Sequence, residues 1–405
     1  MKLLERIRLH FKGLKKIETI NYSEVKENQC EVILTNNYVE IVNLACCECY
    51  KKKLENMDYP AKLRYIGAKV TAGHESVIEH SNVVMMMRLN KSTMQNSVAE
   101  FLTENKYLDA SINTQEGVLL LSGSILGYKQ IIRHIRNFAN PLVQLILNEF
   151  YHFEKCFFLD FIKDGIMRER AFYDDIKMPP IRKLNHHNID TLDIINYDDI
   201  DVLVSAAGQY FPKYELAKHI SITVYFNNVS RIISQQITRH RNAISQKSQR
   251  YVDETNGTFN DPCKFKPDLY PNGINIIVDD KKYTSQELGQ YIASMYGKCI
   301  DAGLKKEDAR GYLPNNIASS LYVTFKGKYL IHFCKMRADS HAQAEAQTFG
   351  YELQYHLPII FKETNLSKIY SYIDPYYKFI ENTDGDYDDI DEVVSVETVT
   401  EPINK

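Results

Sequence analysis

Three polar segments of this 405-residue chain carry the residue types that chemistry needs. The densest runs from Arg239 to Tyr251, R-H-R-N-A-I-S-Q-K-S-Q-R-Y, with three arginines, a lysine, a histidine and two serines. Guanidinium forks at a helix end and in the loop after it suit a phosphate or a planar heterocycle. The same composition also describes a solvated basic turn. The second segment is Arg337-Ala338-Asp339-Ser340-His341-Ala342-Gln343-Ala344-Glu345. His341 and Glu345 sit four apart, a spacing open to a metal, but it is not an H-E-x-x-H motif and no further ligand is placed. An ion-paired helix face is the plainer reading. The third, Gly73-His74-Glu75-Ser76-Val77-Ile78-Glu79-His80, holds two histidines near a strand and is a weak signal alone.

Candidates for covalent or metal chemistry are thin. Cys46, Cys47 and Cys49 cluster, but no second cysteine pair lies at zinc-site spacing, so buried reduced thiols are expected. Ser248 and His240 lack a third orienting group, which argues against a hydrolase. Cys263 follows Pro262 and precedes Lys264, and reads as non-catalytic. Arg133-His134-Ile135-Arg136 imitates R-H-R without an S-x-R-Y loop, and reads as a helix surface.

Helices and strands must position these residues. Tyr38 to Tyr50 has helical apolar spacing, and Val83 to Leu89 suits a buried strand. Val118 to Leu121 reads as a strand, followed by a helix from Leu126 to Asn137 and another from Pro141 to Phe158. Pro179-Pro180 and Asn185 to Asn188 look like loop. Ile220 to Phe226 alternates as a half-buried strand, and Val229 to His240 has helical spacing. Thr284 and Glu287 form a capping box for a helix to about Ala302, with Gly303 as its stop. Leu321 to Phe325 reads as a strand, and one long helix is expected from Tyr329 to Tyr355, ended by Pro358. Val118 to Arg136 loosely echoes the strand–Gly–helix pattern of 322–337, which raises an internal duplication as a minority reading.

Composition excludes several classes. Apolar residues at 44% and charged residues at 25% describe an ordinary globular chain of two or three domains, or one with an insertion. A net charge of −3 argues against a nucleic-acid binder, so any anion site must be local. Apolar runs are too short for a membrane span, and the basic N-terminus lacks a signal-peptide core. A cytoplasmic protein is expected. Residues 381–405, acidic and unpatterned, read as a disordered tail.

Together the segments resemble the flavin-dependent thymidylate synthases, the ThyX type. Gly73 to His80 matches G-H-x-S-x-x-E-H; Arg239-His240-Arg241 with Ser248-Gln249-Arg250-Tyr251 matches R-H-R and S-x-R-Y; Arg337 to Gln343 matches R-A-D-S-H-A-Q; Ala309 to Pro314 matches A-R-x-x-L-P. The resemblance covers about 31–90 and 211–360. It departs in three places. The stretch from Asn242 to Lys247 is one residue short, Lys326 stands where the family often has Asn, and 91–210 lies outside the pattern.

The resemblance implies an α+β fold with a mainly antiparallel sheet flanked by long helices. It implies a catalytic domain from 1–90 and 211–375, with 91–210 as an inserted subdomain. It implies a methyltransferase converting dUMP to dTMP with FAD, NADPH and 5,10-methylenetetrahydrofolate, in a homotetramer with shared active sites. The alternative is a catalytically silent nucleotide- or flavin-binding homologue. Arg337 and Ser248 match catalytic positions. Gln236, Arg239, Gln246, Ser248, Gln249, Arg250, Arg310 and Arg337 match nucleotide-binding positions. His74, Ser76, Glu79, Arg239, His240, Arg241, Gln246, Lys326 and His332 fall where the family contacts flavin. No metal is implied.

Overall fold

Side-chain caps and apolar alternation set most of the elements. The computed structural model describes residues 28–51, 57–135, 140–169, 172, 178–179, 192–240 and 242–363. The first run of elements is β1 (Gln29–Thr35), α1 (Tyr38–Tyr50), α2 (Tyr59–Thr71), a 3-10 turn (Glu75–His80), β2 (Val83–Arg88), α3 (Lys91–Glu104), β3 (Asp109–Asn113), β4 (Val118–Gly123), α4 (Ile125–Ile135) and α5 (Pro141–Glu149). Asn37, Asp58, Asn90 and Asn140 cap α1, α2, α3 and α5 by accepting from free backbone amides. A second run follows: β5 (Leu192–Tyr197), α6 (Ile200–Ala207), a 3-10 turn (Ala217–His219), β6 (Ser221–Ser230), α7 (Arg231–Ile237) and β7 (Ala243–Gln246). After it come the hairpin β8 (Asn275–Val278) and β9 (Lys281–Thr284), α8 (Ser285–Asp301), β10 (Ala318–Lys326), α9 (Gly327–Ala338) and α10 (Ala344–Glu363).

The two runs build the same sheet twice. The orders are β1-β2-β4-β3 and β5-β6-β10-β7, and every pairing is antiparallel. Their registers superimpose. Val32 pairs Met85 and Leu34 pairs Val84 across an irregularity in β1; Ile194 pairs Val224 and Asn196 pairs Thr223 across the same irregularity in β5. Ser111 pairs Leu120 where Ser245 pairs Tyr322, and Asp109 pairs Ser122 where Ala243 pairs Thr324. The caps repeat too: Asn36 Oδ1 accepts from Asn82 N at 3.0 Å, and Asp198 Oδ2 accepts from Ser221 N at 2.6 Å. The echo between Val118–Arg136 and 322–337 is thus the visible end of a repeat that takes in both four-stranded sheets.

The halves lock reciprocally. His80 places Nδ1 2.9 Å from Thr324 Oγ1 and Nε2 3.0 Å from Ser245 Oγ of the second sheet. His219 places Nδ1 2.7 Å from Ser122 Oγ and Nε2 3.0 Å from Ser111 Oγ of the first. In the matched registers these are equivalent positions contacted by equivalent nitrogens, the pattern of a two-fold interface within one chain. One apolar core joins the halves: Val84, Met86 and Leu120 of the first sheet pack with Ile200, Leu203, Val224 and Val323. A second core lies under α1 to α5.

Several expectations are corrected. Residues 91–210 supply β3 and β4 to the first sheet and β5 to the second, so a division at 90 and 210 runs through both sheets. The helix expected over Pro141–Phe158 stops at Glu149; beyond it Phe150, Phe153, Phe157 and Phe158 are buried in the core, with the Phe150 and Phe158 rings stacked. Val229 and Ser230 belong to β6, and Ser230 caps α7, which ends at Ile237. The long helix of 329–355 is two helices. They fold back on one another so closely that a Cβ on Gly350 would lie 2.4 Å from Ala338 N. Asp339 Oδ1 accepts from His341 N at 2.8 Å and holds the break. Pro358 lies inside α10 rather than ending it, removing one donor without forbidding the neighbouring turns. The capping box at Thr284 and Glu287 forms, and Gly303 takes a positive φ after α8. Arg241, the loop Asn185 to Asn188 and the tail 381–405 lie outside the described residues. Among the described residues no helix is long and apolar enough to cross a membrane.

Candidate functional site

Arg337, in the last turn of α9, is held from two sides. Its Nη1 donates to Gln236 Oε1 at 2.8 Å, and its Nη2 lies 2.9 Å from His240 Nε2. Gln236 projects from α7, and its Nε2 donates to Gln343 Oε1 at 2.9 Å. Gln343 therefore belongs to the cluster, although nothing but its place in the R-A-D-S-H-A-Q run signals this. Burial, then the charge of Arg337, then His332 push His240 down to about 4. His240 is then neutral at pH 7, and its Nε2 can accept from the guanidinium. Burial and then the Arg239 charge lower Arg337, which still stays protonated. His332 is exposed, with its ring 5.7 Å from that of His240. Arg239 is exposed beside them.

β7 carries the chain from this cluster to the S-x-R-Y loop. Ser245 is buried against His80, and Gln246 Nε2 donates to Ser319 Oγ at 3.1 Å. Ser248 N donates to Cys49 O at 3.2 Å, which docks the loop on the end of α1. The ring of Tyr251 lies 4.8 Å from that of Tyr50, and Lys69 Nζ sits 3.6 Å over the Tyr50 face. Arg250 is exposed and donates from Nε and Nη2 to Glu307 Oε2 at 3.1 and 3.0 Å. Arg310, also exposed, donates from Nε to Glu307 O at 3.1 Å. The sequence did not single out Tyr50 or Glu307, since neither carries a local pattern.

The Gly73–His80 segment lies against β7. Val77, Ile78 and His80 are buried, which turns His74, Ser76 and Glu79 outward. Desolvation raises the Glu79 carboxyl above the usual range. Glu75 anchors the turn in an ion cluster: fully buried Lys129 contacts Glu75 and lies 2.8 Å from Asp160, while Arg133 reaches both carboxylates. The R-H-I-R imitation thus has a structural use, and its His134 pairs Glu104 at 2.7 Å. Lys326 stands apart: its Nζ donates to Ser122 O at 3.0 Å and lies 3.2 Å from Asp109, at the end of the first sheet.

The cluster has polar capacity to spare. Arg337 Nε, Gln249 Nε2 and both polar atoms of the Asn242 amide are buried without a hydrogen-bond partner among the described residues. Orphaned buried donors of this kind carry a desolvation cost of about 1–3 kcal/mol each, which a polar ligand relieves. With the arginines around them, they fit an anionic, planar, hydrogen-bonding molecule such as a nucleotide or flavin. A metal fits less well. Glu345 Oε1 accepts from Ser230 N at 2.7 Å and Asn260 Nδ2 at 3.1 Å, while His341 is exposed and pairs Asp339. Among the described residues no group of three or more His, Cys, Asp or Glu is arranged to hold a metal. Cys263 is buried, and burial with the neighbouring Asp261 pushes its thiol up, away from nucleophilic character.

The thymidylate synthase complementing protein family matches residues 206–358. A flavin-dependent thymidylate synthase of Geobacter sulfurreducens is 32% identical over 137 residues, 34% of this chain and 56% of that protein. One of Pyrococcus furiosus is 31% identical over 145 residues, 34% of this chain and 54% of that protein. The chain spans about half the length of these curated relatives. A solved structure described as flavin dependent thymidylate synthase ThyX from Helicobacter pylori complexed with FAD and dUMP is 18% identical, covering 40% of this chain and 80% of that one, with a TM-score of 0.29. Residues 206–358 are thus similar in sequence to the flavin-dependent thymidylate synthases.

Proposed function

We propose that this chain, which matches the flavin-dependent thymidylate synthases across residues 206–358, catalyses the reductive methylation of dUMP to dTMP. Methylenetetrahydrofolate would be the carbon donor and NADPH the reductant. The observation that carries the reading is the fixed Arg337, held by Gln236 and a neutral His240, with Nε still unpartnered. A permanent charge preorganised in this way stabilises negative charge developing on a uracil ring. A lysine could not present the same planar fork.

FAD, when bound, would pass reducing equivalents from NADPH to the pyrimidine. The protein's own share is binding and orientation. Arg250, Arg310, Gln249 and the amides near Ser248 form the donor set for the nucleotide phosphate. His74, Ser76, Glu79, Arg239 and His332 stand as flavin contacts, with Arg241 and Gln246 carried from the resemblance. No side-chain nucleophile is required, in keeping with the buried state of Cys263. Homotetrameric assembly is proposed on the resemblance alone, and sedimentation velocity tests it.

The deciding experiment incubates purified protein with FAD, NADPH, methylenetetrahydrofolate and dUMP and analyses nucleotides by mass spectrometry. dTMP that depends on every component is expected. Its absence under conditions where both FAD and dUMP bind would overturn the assignment.

A further inference from the structure

The repeated sheets carry the same backbone and different surfaces, and the differences cluster at one place. Across the junction, the second sheet presents Thr223, Tyr225, Tyr322 and Thr324, with the two tyrosine rings 4.5 Å apart. The matched positions of the first sheet are Val84, Met86, Leu120 and Ser122. Val84, Met86 and Leu120 are buried in the shared core. The connection after β7 runs from residue 247 to 317 and carries the S-x-R-Y loop, α8 and Arg310. The matched connection after β3 is the tight turn Thr114 to Gly117. Helix α1 extends over β7 to Tyr50, where it meets Tyr251. Its counterpart α6 stops at Ala207, after eight residues against thirteen.

We infer that the chain is an internal duplication whose two-fold-related ligand sites have become unequal. One composite site survives, built from the first half's Gly73–His80 turn and α1 end together with the second half's β7 and S-x-R-Y loop. Its mate, at the Ala217–His219 turn and β3, is closed. The first half keeps the turn and has lost the arginine loop. The second keeps the arginine loop, and its counterpart turn is Leu216-Ala217-Lys218-His219, with Glu215 committed to Lys218 and Ser111. Each half thus supplies what the other lacks. This inference rests on the functional reading above, and commits it to one FAD and one dUMP per chain.

The test is calorimetric titration of the full chain with FAD, and with dUMP in the presence of FAD. One equivalent of each per chain is expected. Two variants locate the site. Tyr50→Ala, in the first half, removes the ring under Tyr251 and should weaken dUMP at least tenfold, with folding checked by circular dichroism. Glu215→Gln, at the closed mate, should leave both affinities within twofold. Two equivalents per chain, or equal losses in both variants, would overturn the unequal-site inference alone. An unchanged dUMP affinity in folded Tyr50→Ala would remove the first half from the site and overturn it as well. If the wild-type chain bound neither ligand, the functional reading would fall, and this inference with it.

Discussion

The two halves of this chain share strand order, register, a strand irregularity and a buried histidine, yet only the second carries the long connection with the arginine loop. Backbone pairing and face alternation tolerate wide substitution, so Met86 and Tyr225 can occupy the same place in two sheets. A binding surface tolerates much less, because it needs particular donors on a particular face. Duplication followed by loss on one side therefore leaves the fold twice and the chemistry once. The comparison also explains why residues 91–210 look foreign to the family pattern. They hold the end of one repeat and the start of the next.

The largest expected effect separates the site from the scaffold. Arg337→Ala should reduce dTMP formation by about a hundredfold or more, the scale for losing one preorganised electrostatic contact in an active site. Bound flavin, read from visible absorbance, should remain largely intact. Loss of flavin in that variant would move Arg337 into the flavin subset.

The reciprocal histidines test the equivalence of the halves. His80→Ala and His219→Ala should each cost about 1–3 kcal/mol in chemical denaturation, since each strands buried hydroxyl groups. Only His80→Ala should also impair dUMP binding, because Ser245 precedes the S-x-R-Y loop. Costs differing by more than that range would weaken the symmetry. The same residues set a pH dependence. Burial pushes both down to about 3, from an ordinary value near 6.5, so the unfolded chain takes up protons first. Their contribution is full above pH 6.5 and is lost as pH falls toward 3. Asp198, raised to about 6, and Glu149, raised to about 7, act in the opposite sense. The measurement is therefore the difference between wild type and His219→Ala. The wild type should lose about 1.4 kcal/mol more per pH unit between pH 6 and pH 4. Parallel curves would mean that His219 is protonated in the folded chain.

The smallest effect is expected at the far end. Deletion of 381–405, whose composition offers no apolar face, should leave turnover unchanged in a steady-state assay. A severalfold loss would give the acidic tail a part in the site.

Much of the candidate site was legible in the sequence because its motifs are local. Arg239 to Tyr251 and Arg337 to Gln343 are continuous runs whose residue types announce anion or heterocycle binding. Local signals likewise gave the Thr284 capping box, the Gly303 stop and the strand at 220–226. The expected single helix over 329–355 failed at Asp339, where a side chain turns the backbone and Gly350 admits a close crossing. Such a contact has no periodicity to read. Tyr50 and Glu307 were missed because each acquires its partner from a distant segment, and Gln343 was legible only as the end of its motif.

The sequence by itself determined which residues could do chemistry and most of the caps and strands, since these depend on neighbours within a few positions. Tertiary structure decided that the chain is one sheet built twice, of which the sequence showed only the echo at Val118–Arg136, that His80 and His219 answer one another, and that half-buried Tyr225 and Tyr322 stand on one sheet where buried Met86 and Leu120 stand on its mate. Those facts rest on pairings between strands far apart in sequence, and the two copies have diverged until register, rather than residue identity, relates them.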